Sequence, residues 1–132
     1  MKTQKISLIA TALVVASFFV ISGFNHKMGK DTKKLRHVVL FKFKEGTSAA
    51  DIKKVEDAFA ALPGKIPQIK DFEFGTNNSP EGLDKGFTHC FFLTFDDEAG
   101  RDIYLPHPDH KKFGEVLTPH LGDVLVVDYW TE

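Results

Sequence analysis

Leu35-Arg36-His37-Val38-Val39-Leu40-Phe41-Lys42-Phe43 is the stretch whose reading decides the fold. Valine, leucine and phenylalanine dominate it, no glycine or proline interrupts it, and Lys44-Glu45-Gly46 ends it, so it reads as a β-strand. Side chains alternate along a strand, which puts His37, Val39, Phe41 and Phe43 on one face and Val38 and Leu40 on the other. Both faces are largely apolar. The same holds from Phe87 to Phe95, where His89, Phe91 and Leu93 oppose Cys90 and Phe92, and from Val124 to Trp130, where Val124 and Val126 oppose Leu125 and Val127. An antiparallel sheet with one face in water should alternate apolar with polar residues, and these segments do not. Both faces therefore read as buried. Ile69 to Thr76 reads as a fourth, more polar strand.

The segments between the strands carry helical signals. Ser48 and Asp51 resemble a capping box, Ile52, Val55, Phe59 and Leu62 recur at helical spacing, and Pro63-Gly64 stops the run. Asn77 to Gly86 reads as a loop. Asp96 to Leu105 reads as a helix ended by Pro106, and a further helix runs from Pro108 to Leu117 with His107 as its cap. The order is βαββαβ with the second helix broken in two. It predicts an α+β fold of ferredoxin-like type, a four-stranded antiparallel sheet with helices on one face. Helices can cover only that face, so the simplest cover for the other is the sheet of a second copy, and the expected assembly is a homodimer.

At 132 residues with 42% hydrophobic content and thirteen phenylalanines, the chain has material for one domain and its core. A net charge of −1 with interspersed signs excludes the basic surface that nucleic acid demands. Residues 1–24 read as a signal peptide: Lys2 and Lys5 precede an apolar run from Ile6 to Ile21, and Ser22 and Gly23 follow. The run is shorter than the roughly 20 residues of a spanning helix, but Phe24 spoils the cleavage pattern, so an uncleaved anchor is the alternative. The expected location is exported, periplasmic or otherwise extracytoplasmic, touching membrane only through that segment. Residues 25–34, polar and lysine-rich, read as a linker, and 35–132 as the folded domain. Cys90 is the only cysteine, so no intrachain disulfide forms, and its place in a strand reads as a small core residue.

The candidate site starts from Ile103 to Phe113, where Pro106 and Pro108 hold Tyr104, His107 and His110 around a helix start. His110, Phe113, Gly114 and Leu117 share one helix face, aiming an imidazole at the apolar interior. His37 and His89 lie on matching strand faces together with Val39, Phe41 and Phe91. If that face meets the helices, the imidazoles of His37, His89 and His110 converge beside Tyr104. A neutral imidazole is a general base near neutrality, and a tyrosine hydroxyl donates to an oxygen on which negative charge develops, which suits proton abstraction next to a carbonyl. Taken singly, a histidine on an apolar strand face is more often a core residue bonded to backbone, and Tyr104 alone reads equally well as an edge of the core. His107 and His110 have a chelating i, i+3 spacing, but Pro108 between them and the lack of a nearby Cys or Glu leave no metal assigned. No phosphate-cradling loop, Ser-His-Asp order or dinucleotide fingerprint occurs, and no cofactor is expected.

Four separated motifs resemble one known family in its order: His37-Val-Val-Leu-Phe-Lys-Phe-Lys, Phe87-Thr-His-Cys-Phe-Phe-Leu-Thr-Phe, Tyr104-Leu-Pro-His-Pro-Asp-His-Lys-Lys-Phe and Val-Val-Asp128-Tyr. They look like the stress-responsive A/B barrel domain, Dabb, over about His37 to Tyr129. The resemblance implies a ferredoxin-like protomer and a dimeric α/β barrel. One plant member, olivetolic acid cyclase, closes a linear polyketide by aldol condensation with a tyrosine and the second histidine of its His-Pro-x-His motif. Those positions match Tyr104 and His110, while His37, His89 and Phe113 match its pocket residues.

The resulting expectation is an exported dimer binding a small apolar or aromatic carbonyl compound between sheet and helices. Its catalytic pair would be His110 and Tyr104, in a cyclase- or isomerase-like reaction without cofactor, with His37, Val39, Phe41, His89, Phe91 and Phe113 as the ligand-binding residues. Two alternatives stand beside it: a non-catalytic stress or stability protein whose aromatic residues fill the pocket, and a monooxygenase-like α/β barrel.

Overall fold

The computed structural model describes residues 33–132. The expected signal peptide, residues 1–24, and all but the last two residues of the expected linker, 25–34, lie outside the described residues. Along the chain run β1 (Leu35–Phe43), α1 (Ala49–Ala60), β2 (Asp71–Thr76), β3 (His89–Phe95), α2 (Glu98–Tyr104), α3 (Pro108–Leu117) and β4 (Leu121–Trp130). The sheet order is β2-β3-β1-β4, every neighbouring pair antiparallel, which is the ferredoxin-like arrangement.

Local chemistry sets the helix ends. Ser48 Oγ accepts the Asp51 N–H at 3.1 Å and donates to the Asp51 carboxylate, so α1 starts on a side-chain-closed first turn. Asp97 caps α2 through the Gly100 N–H, and His107 caps α3 through Nδ1, with Pro108 in the first turn where its missing N–H costs nothing. Val55 and Phe59 of α1 are buried against the sheet. The Phe59 ring lies 4.4 Å from that of Phe91 and 4.5 Å from that of Phe113, joining sheet, α1 and α3 in one aromatic stack.

Three strand ends differ from the sequence reading. β2 begins at Asp71 because Ile69 turns inward into the core, its N–H donating to the Ile66 carbonyl. Phe87 belongs to the loop, its N–H donating to the Asp84 carbonyl, so β3 begins at His89. β4 starts earlier than expected, at Leu121, where the register shifts between Lys42 and Phe43. Gly122 makes that bulge possible: a Cβ there would sit 3.0 Å from the Lys42 carbonyl oxygen.

The burial expected on both faces is only half present in one protomer. Leu35, His37, Val39 and Phe41 of β1, with Phe91 and Leu93 of β3, are buried under the helices. The opposite face is open, and Leu125, Val127 and Tyr129 stay 45%, 47% and 46% exposed. Cys90 also lies on this outward face, half-buried, and so is not the core residue that its strand position suggested. On the helix side, Val124 and Val126 are exposed too, because they belong to the edge strand and border a gap beside α3.

Candidate functional site

That gap is the mouth of a chamber of about 320 Å³ between the sheet and the α2–α3 corner. Tyr104 ends α2, and Pro108 restarts the helix so that α3 turns His110, Phe113 and Leu117 toward the same space. From the sheet, His37, Val39 and Phe41 supply the floor, and Val124, Val126 and Asp128 of β4 supply one side. The chamber thus joins six of the eight candidate residues: Tyr104, His110, His37, Val39, Phe41 and Phe113.

Tyr104 sits at the centre, its ring 4.3 Å from that of His110 and 5.8 Å from that of His37. The residue is 1% exposed, and burial pushes its phenol well above the usual tyrosine range, so the hydroxyl keeps its proton as a donor. Among the described residues that hydroxyl has no side-chain or backbone partner, and no sealed side-chain nitrogen or oxygen lacks one, so it opens into the chamber. His110 Nδ1 lies 2.9 Å from the Leu105 carbonyl oxygen. A carbonyl can only accept, so Nδ1 carries a hydrogen, and in the neutral ring Nε2 keeps the lone pair. An imidazole whose Nδ1 is engaged and a protonated phenol therefore stand side by side.

His37 is held from the other direction. Its Nδ1 lies 2.6 Å from Asp128 Oδ1, and Asp128 Oδ2 accepts from Arg101 Nη1 at 2.8 Å. Burial lowers the His37 pKa, against the opposing hydrogen bond and charge of Asp128, and so favours the neutral ring. The Asp128 contact raises the Arg101 pKa. The sequence places Asp128 near the C-terminus as able to bind a neighbouring basic group; the structure supplies Arg101 for that and adds His37.

His89 and Phe91 stand elsewhere. The register pairs His89 with Phe41, four residues along from His37, a separation of about 13 Å at the usual strand rise. His89 Nε2 lies 3.3 Å from Glu56 Oε1 on α1, and its Nδ1 meets Thr88 Oγ1 at 2.8 Å. The expected convergence of three imidazoles is therefore two, those of His37 and His110. Phe91 is wholly buried among Phe41, Phe59 and Phe74 and supports the floor from behind without lining the chamber. A larger hollow of about 580 Å³ opens beneath the β2–β3 loop, among Leu40, Cys90 and Phe92, and His89 borders it. It lacks the phenol and imidazole pairing of the smaller chamber. Among the described residues no group of three or more His, Cys, Asp or Glu side chains is placed to hold a metal ion.

The family model for the stress responsive A/B barrel domain, Dabb, matches residues 35–131. The chain belongs to the Dabb family. Stress-response A/B barrel domain-containing protein HS1 of Arabidopsis thaliana is 36% identical to this Dabb chain over 95 residues, 72% of it and 87% of the relative. Olivetolic acid cyclase of Cannabis sativa is 27% identical over 95 residues, covering 72% of this chain and 94% of the cyclase. A Thermobifida fusca crystal structure, described as a dimeric ferredoxin-like protein of unknown function, superposes with a TM-score of 0.64 at 27% identity, covering 76% of this Dabb chain and 93% of that one.

Proposed function

We propose that this Dabb protein is a homodimer that binds a small, mostly apolar carbonyl compound in the chamber and moves a proton on it without a cofactor. The observation that carries the reading is the pairing of the Tyr104 phenol with the His110 imidazole, whose Nδ1 is held by the Leu105 carbonyl, in one mostly apolar space of about 320 Å³. His110 Nε2 takes a proton from the carbon next to the carbonyl. The electron pair of that C–H bond becomes a carbon–carbon double bond, and the carbonyl π pair moves onto oxygen. The Tyr104 hydroxyl donates to that oxygen as its charge grows. Returning the proton restores the base, and attack of the same carbon on a second carbonyl would give a condensation. The cyclase relative is consistent with this class of step.

The dimer is supported by the open apolar face of Val38, Leu40, Phe92, Leu125, Val127 and Tyr129, and by dimeric relatives. Leu125, Val127 and Tyr129 are about half exposed, so covering each would add roughly 1 kcal/mol. The alternative stability protein requires the phenylalanines to close the pocket, whereas Phe41, Phe59 and Phe113 border it and leave it open. Export rests on the leader-like first residues, and sequencing the N-terminus of protein recovered from its host tests it. The test of the chemistry is deuterium uptake into the methyl group of acetophenone in D₂O, followed by proton NMR. Wild-type protein should accelerate uptake, and His110→Ala should lower the rate by about 10²–10⁴-fold while the dimer persists. Uptake unchanged by that substitution would end the catalytic reading.

A further inference from the structure

Among the described residues Asp128 is the only carboxylate on the chamber wall, and a base-and-phenol pair does not need it. It connects three elements: Arg101 on α2 donates to its Oδ2, and His37 on β1, opposite it in the β1–β4 register, meets its Oδ1. The strands already share a continuous backbone ladder from Leu35 to Lys42, so the contact is not required to hold β4 in place. Its effect falls on the imidazole. A carboxylate facing a guanidinium is ionised and has no proton to give, so the hydrogen between Oδ1 and Nδ1 belongs to His37. His37 Nε2 is then a bare acceptor. It has no side-chain or backbone partner among the described residues, is not among sealed atoms, and belongs to a residue that lines the chamber.

We infer that Asp128 is a positioning residue that presents His37 Nε2 to the chamber as a hydrogen-bond acceptor. The ligand taken there accordingly carries an N–H or O–H donor besides the oxygen held by Tyr104. For the ligand, this deepens the proposed function and rests on it; the tautomer does not depend on that reading. Arg101 makes the inference testable by Asp128→Asn. The guanidinium draws the amide oxygen toward itself and leaves the amide NH₂ facing His37 Nδ1, which must then accept. The hydrogen moves to Nε2, and the acceptor becomes a donor with little change of shape.

The experiment measures the His37 ring nitrogen shifts in the ¹⁵N-labelled full chain, together with the affinities of indole and benzofuran. The two probes share one shape but differ in carrying a donor or an acceptor. Wild-type protein should show hydrogen on Nδ1, and Asp128→Asn should show it on Nε2. Indole should bind wild-type protein about fivefold tighter than benzofuran, the worth of one neutral hydrogen bond, and the preference should vanish in the variant. Hydrogen on Nε2 in neutral wild-type protein, or the same tautomer in both proteins, would overturn the role of Asp128. An equal indole preference in both would overturn donor recognition. Binding of neither probe, with the tautomers as expected, would overturn the ligand part together with the chamber reading and leave the Asp128 assignment standing.

Discussion

Replacing Tyr104 by Phe separates a hydroxyl kept for chemistry from one kept for packing. The ring would keep its neighbours, with centroids 4.3 Å from His110, 5.2 Å from Phe95 and 5.8 Å from His37, so no cavity forms beyond the lost oxygen. The hydroxyl itself has no protein partner among the described residues, although the residue is 1% exposed. A sealed hydroxyl without a hydrogen bond would cost about 1–3 kcal/mol; one that opens only into a mostly apolar chamber loses a smaller part of its hydration, about 1 kcal/mol. Tyr104→Phe should therefore stabilise the fold by about 1 kcal/mol, which raises Tm by about 4–8 °C for a domain of this size. The same variant should lose most of the acetophenone exchange. Calorimetry at equal protomer concentration checks the first outcome, because the Tm of a dimer moves with concentration. A Tm lowered by several degrees would show that the hydroxyl is a satisfied structural group, and undiminished exchange would remove it from the reaction.

Leu125→Lys puts a charge in the open apolar face and should turn the dimer into a monomer in sedimentation equilibrium at micromolar concentration; an undisturbed dimer would mean that another surface joins the copies. His37 has its pKa lowered in the folded protein from an ordinary 6.5, so the unfolded chain holds more protons below that point. Its contribution to stability is full above about pH 6.5 and is lost as pH falls below it, so His37→Gln should flatten the stability curve between about pH 7 and about pH 5 in urea titrations. Ser48→Ala removes the acceptor for the Asp51 N–H and should cost about 1 kcal/mol, read as a fall of about 4–8 °C in Tm.

The sequence made the fold legible because helix starts are marked by local chemistry, from the Ser48 capping box to Pro108, while three strand ends, set by tertiary hydrogen bonds and a bulge, were not. It also brought Tyr104 and His110 together, since one short proline-bounded corner determines both. His89 was misplaced for a physical reason. Alternation reports which face a residue occupies but not how far along the strand it sits, and the β1–β3 register moves His89 away to Glu56. Cys90 illustrates a related limit: an apolar strand face left open by the chain looks in sequence like one covered by it. Asp128 reads in the sequence as a binder of some basic group, but its partners Arg101 and His37 lie on elements far apart in the chain and appear only in the fold.

Native mass spectrometry of the protein purified from its own host tests the central claim most directly, because it reports copy number and chamber contents together. The account predicts twice the protomer mass with a small molecule retained, and weaker retention of that molecule by His110→Ala. A bare single protomer at micromolar concentration would contradict it.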